Sequence, residues 1–142
     1  MNSRCFIPIL IVLVNLTLFA SANASTPLEK AMKQMSNAYK ALSFDLQQPS
    51  DANKSNYLTL AGILKTQAQT SRGLVPKKAA ALSADQQAAM VKAYQKSMDD
   101  LMLAIDSLTQ DIQTSQWDDA RKVMAGLKQQ MTDGHKDFRV KE

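Results

Sequence analysis

Four stretches of this chain repeat apolar residues at alternating spacings of three and four, the pattern of helices that each bury one face. The first carries Leu28, Met32, Met35, Tyr39, Leu42 and Leu46 in a nearly unbroken heptad. It follows Thr26-Pro27-Leu28-Glu29, a capping box with proline at the first helical position, and should end near Gln48, before Pro49. The second, with Ser50 as its expected cap, carries Tyr57, Leu60, Ala61, Leu64 and Ala68 and is stopped by Gly73 and Pro76. A connection from Leu74 to Leu82, holding Lys77 and Lys78, precedes a second capping box, Ser83-Ala84-Asp85-Gln86. The third stripe is Met90, Tyr94, Met98, Leu101, Ile105, Leu108 and Ile112. After a short link at Thr114 and Ser115, the fourth runs Trp117, Ala120, Met124, Leu127, Met131, Gly134 and Phe138, with room to continue to Val140.

No strand-like alternation, hairpin turn or internal repeat competes with this pattern. Four amphipathic helices joined mostly by short loops predict an all-α protein, an antiparallel up-down-up-down four-helix bundle.

The first 24 residues read differently. Arg4 precedes an apolar run from Phe6 to Ala20, followed by small residues ending Ala22-Asn23-Ala24, which is the layout of a cleaved secretory signal peptide. Cleavage is expected after Ala24, with Ala22 as the alternative, leaving a bundle domain over 25–142 that is exported to the periplasm and has no membrane segment. The only cysteine, Cys5, would leave with the signal. Disulfides, thiolate metal sites and thioether-tethered haem are then excluded together. Of 17 Lys and Arg only Arg4 lies in the signal, so the exported part carries 16 basic against 13 acidic residues, about +3. The basic residues are scattered and aromatics are few, so nucleic acid is not an expected partner.

Candidate chemistry centres on His135, the single histidine, one turn from the end of the fourth helix. It lies beside the apolar stripe, so its imidazole is expected to face the interior or its edge. Two roles stay open: a structural histidine bonded to a carbonyl or carboxylate, and a metal or haem ligand. Topology brings the start of the first helix to the same end, with Met32 at similar depth, so a flat cofactor between them would find sulfur on one side and nitrogen on the other. Tyr94 and Met98 should form part of the pocket wall, and Lys77 and Lys78 should lie near its mouth. A di-iron site fails on ligand count, because Glu29 and Glu142 are the only glutamates. Structural zinc would need more His or Cys, and no nucleophile is marked out beside Asp133, His135 and Asp137.

These features resemble the cytochrome b562 family, small periplasmic bundles that hold one haem. Leu28-Glu29-Lys30-Ala31-Met32 resembles the family's ligand-methionine segment. Leu127-Lys128-Gln129-Gln130-Met131-Thr132-Asp133-Gly134-His135-Lys136-Asp137-Phe138-Arg139 resembles its ligand-histidine segment. The resemblance implies one non-covalent haem b, iron protoporphyrin IX, per chain, with Met32 and His135 as axial ligands, Tyr94 and Met98 along the wall and Arg139 near a propionate. Departures from the pattern are Met98 in place of an aromatic, Met131 in place of an arginine and Gly134 in place of an aromatic. Met35 and Met98 are alternative sulfur ligands.

The implied activity is that of a monomeric one-electron carrier for a periplasmic redox partner, not of an enzyme, with Lys77 and Lys78 either docking an acidic partner or simply solvated. The alternative from another class is a haem-free periplasmic helical bundle with a protein-binding or stress-related role, which has no reason to keep Met32 and His135 coupled.

Overall fold

The structure, a computed structural model, describes residues 25–140, so the signal-peptide assignment and its cleavage site lie outside the described residues. Four long helices dominate: α1 Pro27–Asp45, α2 Lys54–Arg72, α4 Ala84–Gln113 and α5 Trp117–Phe138, with a single-turn helix, α3 Lys77–Ala80, between α2 and α4. They form the all-α four-helix bundle that the apolar stripes predict. Packing runs α1 on α2, α2 on α4 and α4 on α5, while α3 rests on α4 and α5.

The stripes fold inward because each places a side chain on the same helical face every three or four residues. Leu42, Leu46, Tyr57, Leu64, Ile105, Leu108, Ile112, Ala120 and Leu127 are among the buried core residues. Polar pairs flank this core at the seams. Between α2 and α4, Arg72 grips Asp99 with two hydrogen bonds of 2.5 and 3.0 Å, and Lys65 meets Asp106 at 2.5 Å. The Arg72 guanidinium holds the Asp99 carboxyl below its ordinary range.

Three sequence expectations are adjusted at helix ends. The capping box at Thr26 and Glu29 forms as expected, but α1 ends at Asp45, three residues short of Gln48. Ser50 does not cap α2; a 3-10 turn, Asp51–Asn53, intervenes, and the Ser50 backbone N–H donates to the Tyr57 hydroxyl at 3.3 Å. The Ser83 hydroxyl donates to the Gln86 side-chain oxygen at 3.0 Å and caps no backbone N–H, so the second capping box does not form. The short link before α5 turns through Ser115 at φ 57°, and the Ser115 hydroxyl donates to Asp51 Oδ1 at 2.5 Å, which holds this left-handed residue in place.

The bundle has two unlike ends. At the end where α1 finishes and α5 begins, the Arg121 guanidinium donates to the Leu46 carbonyl at 3.2 Å, and one turn inward the Tyr39 hydroxyl donates to the Met124 carbonyl at 3.1 Å. These are the direct ties between α1 and α5. Toward the opposite end, where α1 begins and α5 finishes, α3 reaches both helices, through Lys77 to Glu29 of α1 and Lys78 to the Asp137 carbonyl of α5.

Candidate functional site

The ties between α1 and α5 also fix which edges of those helices face each other. Tyr39 marks the α5-facing edge of α1, and Met32, seven residues earlier, returns to that edge after two turns. Arg121 marks the α1-facing edge of α5, and His135 returns to it fourteen residues later.

The same bonds act as rulers of depth. Fourteen residues separate Leu46 from Met32 and fourteen separate Arg121 from His135, about 21 Å along each helix, so this pair sets the two backbones level. The Tyr39–Met124 bond is seven residues from Met32 and eleven from His135, an offset of about 6 Å toward the bundle end. Helical side chains lean toward their own N-terminus, and α1 and α5 run in opposite directions. Met32 therefore leans toward the end and His135 away from it, which narrows the offset at the thioether and the imidazole.

His135 is exposed, where the sequence pattern placed its imidazole toward the interior or its edge. The reason is geometric: it stands about 60° around α5 from the centre of the buried stripe formed by Ala120, Met124 and Leu127. Among the described residues its imidazole makes no hydrogen bond or ion pair, so the bonded structural histidine has no counterpart here. Met32 is half-buried and packs against the core cluster.

The residues expected along the wall lie on the inner face of the bundle. Tyr94 and Met98 of α4 are buried, and Phe138 meets Tyr94 edge-on with ring centroids 5.3 Å apart. Tyr94 donates its hydroxyl to the Ser71 carbonyl at 3.0 Å, and burial pushes its phenol up to about 12. Arg139 caps α5, its backbone N–H donating to the His135 carbonyl at 3.1 Å. Lys77 and Lys78 do lie at this end: Lys77 Nζ is 2.5 Å from Glu29 Oε1 on α1, and Lys78 Nζ donates to the Asp137 carbonyl on α5 at 2.7 Å. Neither is simply solvated.

One buried residue at this end is polar and was not among the expected site residues. Ser71 reads as a solvated serine near a helix end, yet it extends the stripe Tyr57, Ala61, Leu64, Ala68 by one more step of three and is fully buried. Its hydroxyl has no hydrogen-bond partner. Continuing the apolar spacing to the last turn of α2 would have found it. Ser71→Ala is expected to stabilise the haem-free chain by ~1 kcal/mol, since it removes an unpaired buried hydroxyl and improves helix propensity. A rise of a few degrees in the thermal midpoint checks this.

The donor chemistry fits a haem. A thioether and an uncommitted imidazole stand on facing edges of two helices, backed by a sulfur and aromatic wall and flanked by cations. A Cβ built on Gly134, beside His135 on the inner stripe, meets nothing within 4 Å, so this stretch of α5 is not packed shut. Two surface hollows lie at the other end, one of about 550 Å³ lined by Trp117, Asp118, Asp119 and Arg121, and one of about 310 Å³ beside Phe44 and Tyr57. Both are shallow openings on the tied end of α1 and α5 and present no imidazole, so the donor set and not the concavity identifies the site. Among the described residues no group of three His, Cys, Asp or Glu side chains could hold a metal ion, and no helix is long and apolar enough to cross a membrane.

A family model described as cytochrome b562 matches residues 27–139, from the first residue of α1 to the cap of α5. Comparison with curated proteins and with solved structures gives no match.

Proposed function

The chain belongs to the cytochrome b562 family, which implies a haem-binding electron-carrier cytochrome, and from that premise we propose a b-type cytochrome with one non-covalent haem held between Met32 and His135. The observation that carries this reading is the coupled placement of the two donors: facing edges of α1 and α5, similar depth, and an imidazole with no other partner.

When bound, the haem supplies a one-electron ferric/ferrous couple. The residues do the rest. His135 offers a nitrogen and Met32 a thioether, which favours the ferrous state and raises the potential relative to two imidazoles. Held by both donors, the iron would have no site open to oxygen or a substrate, and the role proposed is outer-sphere electron transfer, not catalysis. Tyr94, Met98 and Phe138 exclude water from the inner edge, and the low-dielectric wall they form disfavours the net charge of the ferric state. Arg139, one turn beyond His135, stands where the family resemblance puts a propionate partner. Export to the periplasm and a soluble redox partner there complete the proposal.

The test is reconstitution of residues 25–142 with ferric protoporphyrin IX. A low-spin Soret band and a sharp reduced alpha band at one haem per chain are expected, with haem extractable into acidified organic solvent. Without that spectrum the proposal fails, and a haem-free helical bundle takes its place.

A further inference from the structure

The short helix α3 is anchored and charged at once. Pro76 and Ala79 are fully buried, fixing the turn against α4 and α5, while Lys77 and Lys78 reach outward in different directions. Lys77 pairs with Glu29, three residues before Met32, and Lys78 with the carbonyl of Asp137, two residues after His135. The two ammonium groups therefore stand on opposite sides of the gap between α1 and α5, each within one turn of a proposed ligand. Lys78 has an acceptor but no anion. Its partner is a carbonyl in the last turn of α5, one of those a helix leaves without an intrahelical donor.

Resting on the haem reading, we propose that Lys77 and Lys78 are a carboxylate clamp, exchanging Glu29 and the Asp137 carbonyl for the two carboxylates of the tetrapyrrole. The group that fits between Met32 and His135 is apolar on one edge and dianionic on the other. Its apolar edge belongs against Met98, Tyr94 and Phe138, which leaves the carboxylates toward the mouth, where α3 holds its cations. The exchange differs for the two lysines. Lys77 trades one carboxylate for another and gains little, whereas Lys78 trades a neutral carbonyl for a charge-assisted bond. Lys78 therefore contributes more. Neither reach requires the backbone of α3 to move, since each lysine has a flexible four-carbon stem.

Soret titration of the 25–142 chain with ferric protoporphyrin IX and, separately, with its dimethyl ester delivered from dimethyl sulfoxide separates the carboxylates from the rest of the group. For the diacid, Lys78→Gln is expected to weaken binding about fivefold, Lys77→Gln about twofold and the double variant about tenfold, the scale of solvent-exposed charge pairs. For the dimethyl ester all variants should match the wild type, and every complex should stay low-spin. A double variant that binds the diacid as tightly as wild type would overturn the clamp. So would an equal loss for diacid and ester, which would make α3 only a structural strap. Loss of the diacid preference in Arg139→Gln but not in the double variant would assign the carboxylates to Arg139 instead. If wild type gives no low-spin spectrum with either porphyrin, the haem reading itself fails and takes the clamp with it, a result distinct from the others.

Discussion

Met32→Ala is expected to turn the reconstituted iron from low-spin to high-spin and to open it to carbon monoxide, while Met35→Ala leaves the low-spin spectrum intact. The two methionines sit one turn apart and are chemically identical, so only their placement separates them. Met32 is half-buried on the edge of α1 that Tyr39 shows to face α5. Met35 is 2 % exposed, at the centre of the buried stripe. A side chain at the centre of the stripe is committed to packing; one on its α5-facing edge can reach a group held from the other side by His135. Stability should move in the opposite sense. Truncating Met35 empties a packed site and costs about 2–5 kcal/mol, whereas Met32 loses only part of its burial and should cost less than half as much. Loss of the thioether should also lower the reduction potential. Absorption spectra with and without carbon monoxide, paired with denaturant unfolding of the haem-free variants, check both halves. A high-spin Met35 variant beside a low-spin Met32 variant would move the sulfur ligand one turn along α1.

Most of the bundle was legible in the sequence because helix pairing in this fold is decided by apolar phase. Every residue of the α4 stripe from Tyr94 to Ile112 is buried, and the α5 stripe keeps its phase from Trp117 to Phe138. What escaped was decided by tertiary partners. Ser50 has the composition of a cap, but its N–H is satisfied by Tyr57 and its hydroxyl makes no cap bond. Ser83 and Gln86 satisfy each other, which a pattern of residue types cannot distinguish from a reciprocal bond to backbone. At the candidate site, Met32, Tyr94 and Met98 stand where periodicity put them. The exposure of His135 was not legible, because periodicity tells which face a residue is on but not whether a neighbouring helix closes over that face. Ser71 was missed for the converse reason: a polar residue type hid a buried position.

The unlike ends of the bundle divide stability from cofactor binding, and Tyr57→Ala tests that division with the largest expected loss of stability. Tyr57 is 1 % exposed and gathers the closed end. Its hydroxyl accepts from the Ser50 N–H at 3.3 Å, and its ring meets Trp117 edge-on at 5.9 Å and 88°. Lys54 Nζ in turn sits 5.9 Å from the centre of the Trp117 ring. Truncation removes a large buried aromatic, leaves the Ser50 N–H without its acceptor and frees Trp117 from its edge contact. Cavity and transfer terms for an aromatic this buried come to about 3–5 kcal/mol, and the orphaned N–H adds about 1 kcal/mol where water does not reach it. Against a typical domain stability of about 5–15 kcal/mol, that is enough to bring the haem-free chain close to unfolding at room temperature. Haem that binds only the folded chain should restore much of it by mass action. Tyr57 lies near Leu46 and Trp117, about 20 Å along the helices from Met32 and His135, so the reconstituted variant should still show the wild-type low-spin spectrum. With the site unchanged, haem at the same excess should stabilise the variant and the wild type by the same free energy, read from unfolding of the haem-free and reconstituted chains. A Tyr57→Ala chain that refolds around haem yet gives a high-spin spectrum would show that the two ends are coupled.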